Sequence, residues 1–392
     1  MLVDYVRLER DVLGGLSPRD CRFAVVGLGA LGSEVCRLLG QIGAKLVLLI
    51  DPDYLCAENM PYGVMYRVGR EKKVLSSEQR AFKSDAIAWA GERIFPDTTW
   101  VSRAAEVADV GLKLLRDCDL VFSCTDNVLA RAETSYLARL LGKIMVDGGL
   151  KGEAVHEGRV SFFPADRSSA CYLCQLSESR RAEVLSFATA RSLGCAPLGV
   201  HAIMTATPMM ASLIAAQMTD LGIRHLADCA TDNNDASAWI YRMPPHDVLS
   251  ENVRIAWSAT CPWHDFPVEG ELTELDDGQS VRQMLRSDGE RRKDSRKTVL
   301  ELIWPLCLRA RCQSCGAEQK SMRRVALIRR SGMCTVCGVG GRMEPLECLR
   351  ALHEEHPLAD MTARQLGFPS QHLFWCRPEL FSCEDGWQKG SA

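Results

Sequence analysis

The chain has 392 residues, enough for two domains, with 47% hydrophobic and 25% charged residues and a formal net charge of −3. That is ordinary for a folded globular protein, and the near balance of charge makes no case for a nucleic-acid or membrane partner. There are 18 cysteines, and the first residues, "MLVDYVRLERD", form no apolar leader. The reading is therefore a cytoplasmic protein whose thiols bind metal rather than pair as disulfides.

In chain order, residues 20–165 alternate short apolar runs with helical patterns. "FAVV", "LVLLI", "DLVFS" and "IMVD" read as buried strands. Between the first two, Val35, Leu38, Leu39 and Ile42 fall on one face of a helix. This pattern predicts an α/β fold with a doubly wound, Rossmann-like, mostly parallel sheet. Residues 180–250 read as helical and then extended. Their most apolar stretch, "LGVHAIMTATPMMASLIAAQM", contains His201, Pro208 and Gln217 and reads as a buried helix rather than a membrane span. Residues 270–297 are polar and read as a linker. From 298 on, short elements alternate with cysteine knuckles. Residues 291–342 carry thirteen Lys/Arg against three Asp/Glu, and residues 344–385 eight acidic against three basic. The expected organisation is a nucleotide-binding domain over 1–269, a linker over 270–297, and a small zinc-ribbon and tail domain over 298–385.

The turn after the first strand, "GLGALG", carries Gly27, Gly29 and Gly32. Such a turn permits tight reversal, close backbone approach and helix packing, and so seats phosphate at a helix N-terminus. Asp51 ends the second strand, where a carboxylate can hold ribose hydroxyls, and Asp53 comes two residues later. Alone, the motif says nucleotide, with an NAD-dependent oxidoreductase as the default reading.

The residues downstream depart from that default. Asn59 sits six residues after Asp53, Lys83 opens the helix "KSDAIAWAGERIFPD", and "DLVFS" runs into "CTDN" with Arg131 soon after. Next come "VDGGLKGEAVHEGRVSFF" and "CYLC". This ordered string, over roughly residues 1–265, resembles the ThiF/MoeB family, adenylating enzymes that activate ubiquitin-like and sulfur-carrier proteins and are related to ubiquitin-activating enzymes. The resemblance implies ATP and Mg2+ as cofactors and a ubiquitin-like partner with a C-terminal glycine. It assigns Asp51 to the ribose, Asn59 and Lys83 to phosphates, and Asp126 with its neighbour Asn127 to the metal-bound nucleotide. "DYVRLER" is similar to the family's N-terminal arginine motif, which implies Arg7 as a phosphate contact from a second subunit and hence a homodimer. The family run Asn-Leu-x-Arg-Gln reads "NMPYG" here, so Tyr62 stands at the arginine's position and Arg67 is the expected substitute. In thioester-forming relatives the transfer cysteine precedes a Gly-Val step and a long apolar helix. "SLGCAPLGVHAIM" places Cys195 there, implying transfer to a conjugating-enzyme-like partner. The rival readings are an oxidoreductase and a non-catalytic scaffold that kept the fold.

Two structural zinc sites are expected. The family's knuckle after "VDGG" and its downstream pair correspond to Cys171 and Cys174 with Cys261 and His264 of "CPWH". Cys312, Cys315, Cys334 and Cys337 form C-x2-C-x18-C-x2-C, a zinc-ribbon spacing in its own right, with Gly316 and Gly338 after the knuckles where a turn needs a permissive backbone. Cys21, Cys36, Cys56, Cys118, Cys229, Cys307, Cys348, Cys376 and Cys383 read as buried hydrophobes. The late "LADMTARQLGFPSQHLFWC" is similar to the tail of prokaryotic activating enzymes, pointing to a bacterial ubiquitin-like conjugation pathway.

Overall fold

The computed structural model describes residues 16–56, 59–60, 63–69, 81–150, 156–185, 207–227, 235–243, 249–264, 270–276, 278–292 and 297–378. Arg7, Tyr62, Cys195, Cys229 and Cys383 lie outside them. The chain forms two compact units, the second made chiefly of residues from 266 on, together with 111–113 and 185–191.

In the first unit the strands are β1 (Arg22–Val26), β2 (Leu46–Ile50), β3 (Thr99–Arg103), β4 (Leu120–Ser123), β5 (Ile144–Leu150), β6 (Glu157–Phe163), β7 (Ser237–Arg242) and β8 (Leu249–Arg254). They make one sheet in the order β3-β2-β1-β4-β5-β6-β7-β8. The pairings from β3 across to β5 are parallel, and β6, β7 and β8 extend the sheet antiparallel. The helices that matter are α1 (Ala30–Gln41), α2 (Val64–Gly69), α3 (Lys83–Ile94), α4 (Val128–Leu140) and α5 (Pro208–Ala227).

The apolar runs of the sequence become these strands because both faces of the parallel sheet are covered. Phe23, Val25, Val47, Leu49, Leu120 and Phe122 share one core with Val35 and Leu39 of α1 and Ile214 and Met218 of α5. Leu38 and Ile42 pack on the edge of that core. The alternate strand residues Ala24, Val26, Leu48, Ile50 and Val121 are buried too. Helix α5 is the second half of the long apolar stretch, and among the described residues no helix is long and apolar enough to cross a membrane. Strand order reverses between β1 and β4. In such sheets ligands bind outside the carboxyl ends of the strands at that reversal.

The second unit is built on β10 (Thr298–Cys312), which pairs with β11 (Glu318–Arg324), β12 (Met343–His353) and β13 (Leu373–Pro378). Here the expected linker over 270–297 needs correction. β9 (Glu271–Glu274) pairs antiparallel with β13, and α6 (Val281–Arg292) places Val281, Met284 and Leu285 in the core beside Leu300, Leu306 and Phe374. Those three apolar residues at i, i+3 and i+4 give the helix one buried stripe, which Asp288 continues at i+7, while Arg286, Glu290 and Arg291 face outward. A second correction concerns thiols. Cys21, Cys36, Cys118, Cys307 and Cys376 are buried as expected, but Cys56 and Cys348 are exposed.

Because α6 is part of a core, Met284→Ala is expected to cost about 2–5 kcal/mol, lowering the midpoint of urea unfolding followed by circular dichroism. An unchanged midpoint would return the segment to a linker.

Candidate functional site

The glycine turn is forced by its neighbours. Gly27 has φ +86°, and a Cβ there would lie 2.8 Å from the backbone of Cys124 and Thr125, so β1's exit abuts the "CTDN" exit of β4. At Gly32 a Cβ would sit 1.9 Å from the Gly27 carbonyl oxygen. Gly29 caps α1 with no side-chain hydrogen bond, and a Cβ there would meet nothing within 4 Å. The first turn of α1 therefore presents backbone N–H groups toward open space, the arrangement that receives phosphate.

Asp51 is buried, and both of its oxygens are engaged. Oδ2 accepts from Leu28 N at 2.6 Å and Oδ1 from Asp53 N at 2.8 Å. Burial pushes its carboxyl pKa up, against the pull of Lys83 and of those two amides. Each oxygen keeps a further lone pair with which to accept from a ribose hydroxyl. Lys83 opens α3 and reaches Asp53 Oδ2 at 2.8 Å. Its backbone is pinned as well, Lys83 N donating to Asp53 O at 2.9 Å. Burial works against the ammonium, but Asp51's charge and the bond to Asp53 outweigh it and hold its pKa above the ordinary value. Asp53 itself is largely exposed. The fold thus gathers Gly27, Gly29, Gly32, Asp51, Asp53 and Lys83 around the strand exits.

Other expected residues have local work. Asn59 Oδ1 accepts from Cys56 N at 3.1 Å and from Cys56 Sγ at 2.9 Å. Arg67 is exposed on α2, its Nε donating to Met60 O at 3.3 Å. Asp126 is exposed just before α4. The Asn127 side chain caps that helix, accepting from Leu129 N at 2.9 Å, so its carbonyl oxygen is already committed to backbone.

Two groups escaped the sequence reading. Tyr66 of α2 is buried and its hydroxyl donates to the Leu28 carbonyl, fastening the glycine turn from a second side. Beneath the "CTDN" exit, Arg131 Nη1 donates to Asp147 Oδ2 at 2.7 Å and Ser123 Oγ to Asp147 Oδ1 at 2.8 Å. This buried ion pair ties α4 and β4 to β5. The aspartate of "VDGG" was the available signal, a charge inside an apolar strand.

Both thiol clusters have the shape of a zinc site. Cys171 Sγ lies 3.8 Å from Cys174 Sγ and 3.6 Å from Cys261 Sγ, and Cys174 Sγ lies 3.0 Å from His264 Nε2. In the other cluster Cys312 and Cys337 are 3.7 Å apart and Cys315 and Cys334 3.6 Å. In each set all four ligand atoms fall within 4.8 Å of one another. Tetrahedral zinc with Zn–S of about 2.3 Å demands sulfur separations of about 3.8 Å, so both donor sets fit. Gly316 and Gly338 have φ of +74° and +70°, as the turns after the knuckles require. Arg139, only 1% exposed, reaches into the first cluster, its Nη2 lying 3.1 Å from His264 Nδ1. Trp257 Nε1 contacts the same nitrogen at 3.1 Å.

The fold is a doubly wound α/β domain with a glycine turn at the β1/β4 switch point and, in the same unit, a four-ligand cluster that fits zinc. The chain belongs to the ThiF family, whose model matches residues 16–375. The adenylyltransferase and sulfurtransferase uba4 of Emericella nidulans is 27% identical over 166 residues, covering 41% of this chain and 33% of that protein. The molybdopterin-synthase adenylyltransferase of Salmonella typhimurium is 30% identical over 169 residues, 42% of this chain and 62% of that one. The chain thus spans about a third of the length of the uba4 relative. A crystal structure of E. coli MccB with ATP is 12% identical with a TM-score of 0.46, over 64% of this chain and 68% of that one.

Two zinc ions per chain are expected by elemental analysis, falling to one in Cys334→Ser/Cys337→Ser; a stoichiometry of one in the unaltered chain would remove one centre. Arg139→Met removes a buried cation beside Cys171, Cys174 and Cys261 and should speed zinc loss to a chelator. Arg139→Lys should restore part of it. Equal retention in all three proteins would show that Arg139 only fills space.

Proposed function

We propose that this protein activates a small ubiquitin-like or sulfur-carrier protein at the expense of ATP. A carboxylate oxygen of the partner's C-terminal glycine attacks the α-phosphorus, the bond to the bridging oxygen breaks, and pyrophosphate leaves with the electron pair. A thiolate then attacks the acyl carbon of the adenylate, the bond from that carbon to the phosphate oxygen breaks, and AMP leaves with the electron pair as the thioester forms. The observation that supports this most is that the uncapped α1 turn lies against the exit of β4 and is linked through Leu28 to Asp51, Asp53 and Lys83.

In this reading the α1 amides and Lys83 hold phosphate oxygens, and charge that builds on them in the displacement is met by groups already in place. Asp51 orients the ribose while fixing the turn. Asp126 is the anchor for Mg2+, which when bound neutralises phosphate charge and orients pyrophosphate as leaving group. Arg67 supplements the cations near Asn59, Tyr62 occupying the position of the family's arginine. Arg7 reaches the phosphates from a second subunit of a homodimer. The relatives named as adenylyltransferases favour the same chemistry. A bacterial conjugation pathway in the cytoplasm, with a conjugating-enzyme-like acceptor, is the setting we infer from the tail.

Cys195 is the proposed thioester carrier. Cys124, which abuts the glycine turn, is a poor one, since burial first and Asp147's charge second push its pKa far above the ordinary thiol range. The Tyr62 substitution favours one rival, a scaffold that binds the partner without chemistry.

Pyrophosphate exchange into ATP is expected to require both Mg2+ and the partner protein, and Asp126→Ala to reduce it by a factor of about 100 or more. Unchanged exchange in that variant would overturn the role of Asp126, and no exchange in the unaltered chain with its partner would select the scaffold. On a non-reducing gel, ATP–Mg2+ and partner should give a heavier band that thiol reductant removes and Cys195→Ala lacks. Persistence of the band in that variant would move the carrier to another cysteine.

A further inference from the structure

The zinc-ribbon hairpin carries an apolar tip that neither the nucleotide site nor the metal centres use. Met333 is 64% exposed, Val336 73% and Val339 38%. All three sit on one clamped turn. Met333 bridges Gly340, Cys334 N donates to Val339 O at 3.1 Å, and Gly341 N to Gly332 O at 2.8 Å. Gln319 of β11 holds the turn from outside. Its Nε2 donates to Met333 O at 2.9 Å and its Oε1 accepts from Thr335 N at 2.9 Å. With the four thiols of the ribbon beneath, these bonds fix the tip before any partner arrives, and a pre-ordered surface loses little entropy on binding.

The surroundings are cationic. Residues 309–342 hold eight Lys/Arg and a single acidic residue, Glu318. Glu318 is taken by Arg309 and Arg311. Arg342, next to Gly341 of the clamped turn, is exposed, while Lys320 alternates with Gln319 to the other face of β11. The same segment holds no aromatic residue and no histidine. Readers of single-stranded nucleic acid stack bases on aromatic rings, and the tip offers none. An apolar centre inside a charged rim is instead the anatomy of a protein interface, in which the centre supplies affinity and the rim steers approach.

We propose that the ribbon tip docks an acidic segment of a partner protein that carries aliphatic or aromatic anchors. The anchors cover Met333, Val336 and Val339, and the acidic groups face Arg342. The proposal stands independently of the adenylation reading, because it uses a surface of the second unit alone.

The test is a fluorescence-anisotropy titration of the full zinc-loaded chain against a short labelled peptide of Glu and Asp interspersed with Leu and Phe. Two controls are run beside it: the same peptide with Ser at every anchor, and a single-stranded RNA of equal length. Saturable binding of the anchored peptide is expected, weakened about tenfold or more by Met333→Ser/Val336→Ser and by the anchor-free peptide. Arg342→Glu should weaken it more at low salt than at high salt. Both substitutions lie at exposed positions, and an unchanged zinc content of the variants verifies their fold. Absence of saturable binding, equal binding of the anchor-free peptide, an unaffected double variant, or tighter binding of the RNA would each overturn the proposal.

Discussion

Both carboxylate oxygens of Asp51 are occupied by backbone amides from different loops, Leu28 N in the turn after β1 and Asp53 N beyond β2. A buried anion needs such donors, and each amide left unsatisfied would cost about 1–3 kcal/mol. The carboxylate therefore holds the two strand exits in fixed relation. Tyr66 adds a third attachment at the Leu28 carbonyl, and Gly27 at positive φ allows the turn to lie against Cys124. These contacts set the orientation of α1, whose uncapped amides face the place where phosphate would lie. Lys83 reaches the same place because residues 53–55 pair with residues 81–83 at the start of α3.

The two four-ligand clusters, which fit zinc, would act at longer range when metal is bound. Cys171 and Cys174 are joined to Cys261 and His264 across ninety residues of chain, so a closed centre constrains a loop that entropy would otherwise open. Arg139 brings a buried positive charge to a cluster of thiolates, which offsets the cost of collecting like charges in a desolvated place. The ribbon plays a different part. It closes the far end of β10, where the small cluster of Cys307, Ala310, Ile328 and Met343 forms a core of few residues. A core of that size gains from a metal cross-link.

Much of this is legible in the sequence because it is local. The spacing of Gly27, Gly29 and Gly32, the acidic end of β2 and the paired knuckles each announce their chemistry within a few residues. The α6 helix is hidden by composition: "VRQMLRSDGERR" is mostly charged, and its apolar stripe of Val281, Met284 and Leu285 shows only when the i, i+3, i+4 spacing is weighed above the polar count. Asn127 reads as a ligand by its motif, although an Asn before a helical run is first of all a helix cap. Arg139 and Tyr66 are not legible at all. Their partners lie at His264 and Leu28, distant in sequence, and only the folded chain shows that a cation and a phenol are buried there. Cys56 and Cys348 are misplaced for a related reason, since composition says that thiols are usually inside but not which loop or strand turns one outward.

The central claim is that the glycine turn, Asp51 and Lys83 serve ATP rather than a nicotinamide dinucleotide. Thermal unfolding of the chain with each nucleotide decides it most directly, because a ligand that binds only the folded state raises Tm by mass action. The account predicts that ATP with Mg2+ raises Tm and that NADH does not. A rise with NADH and none with ATP–Mg2+ would contradict it.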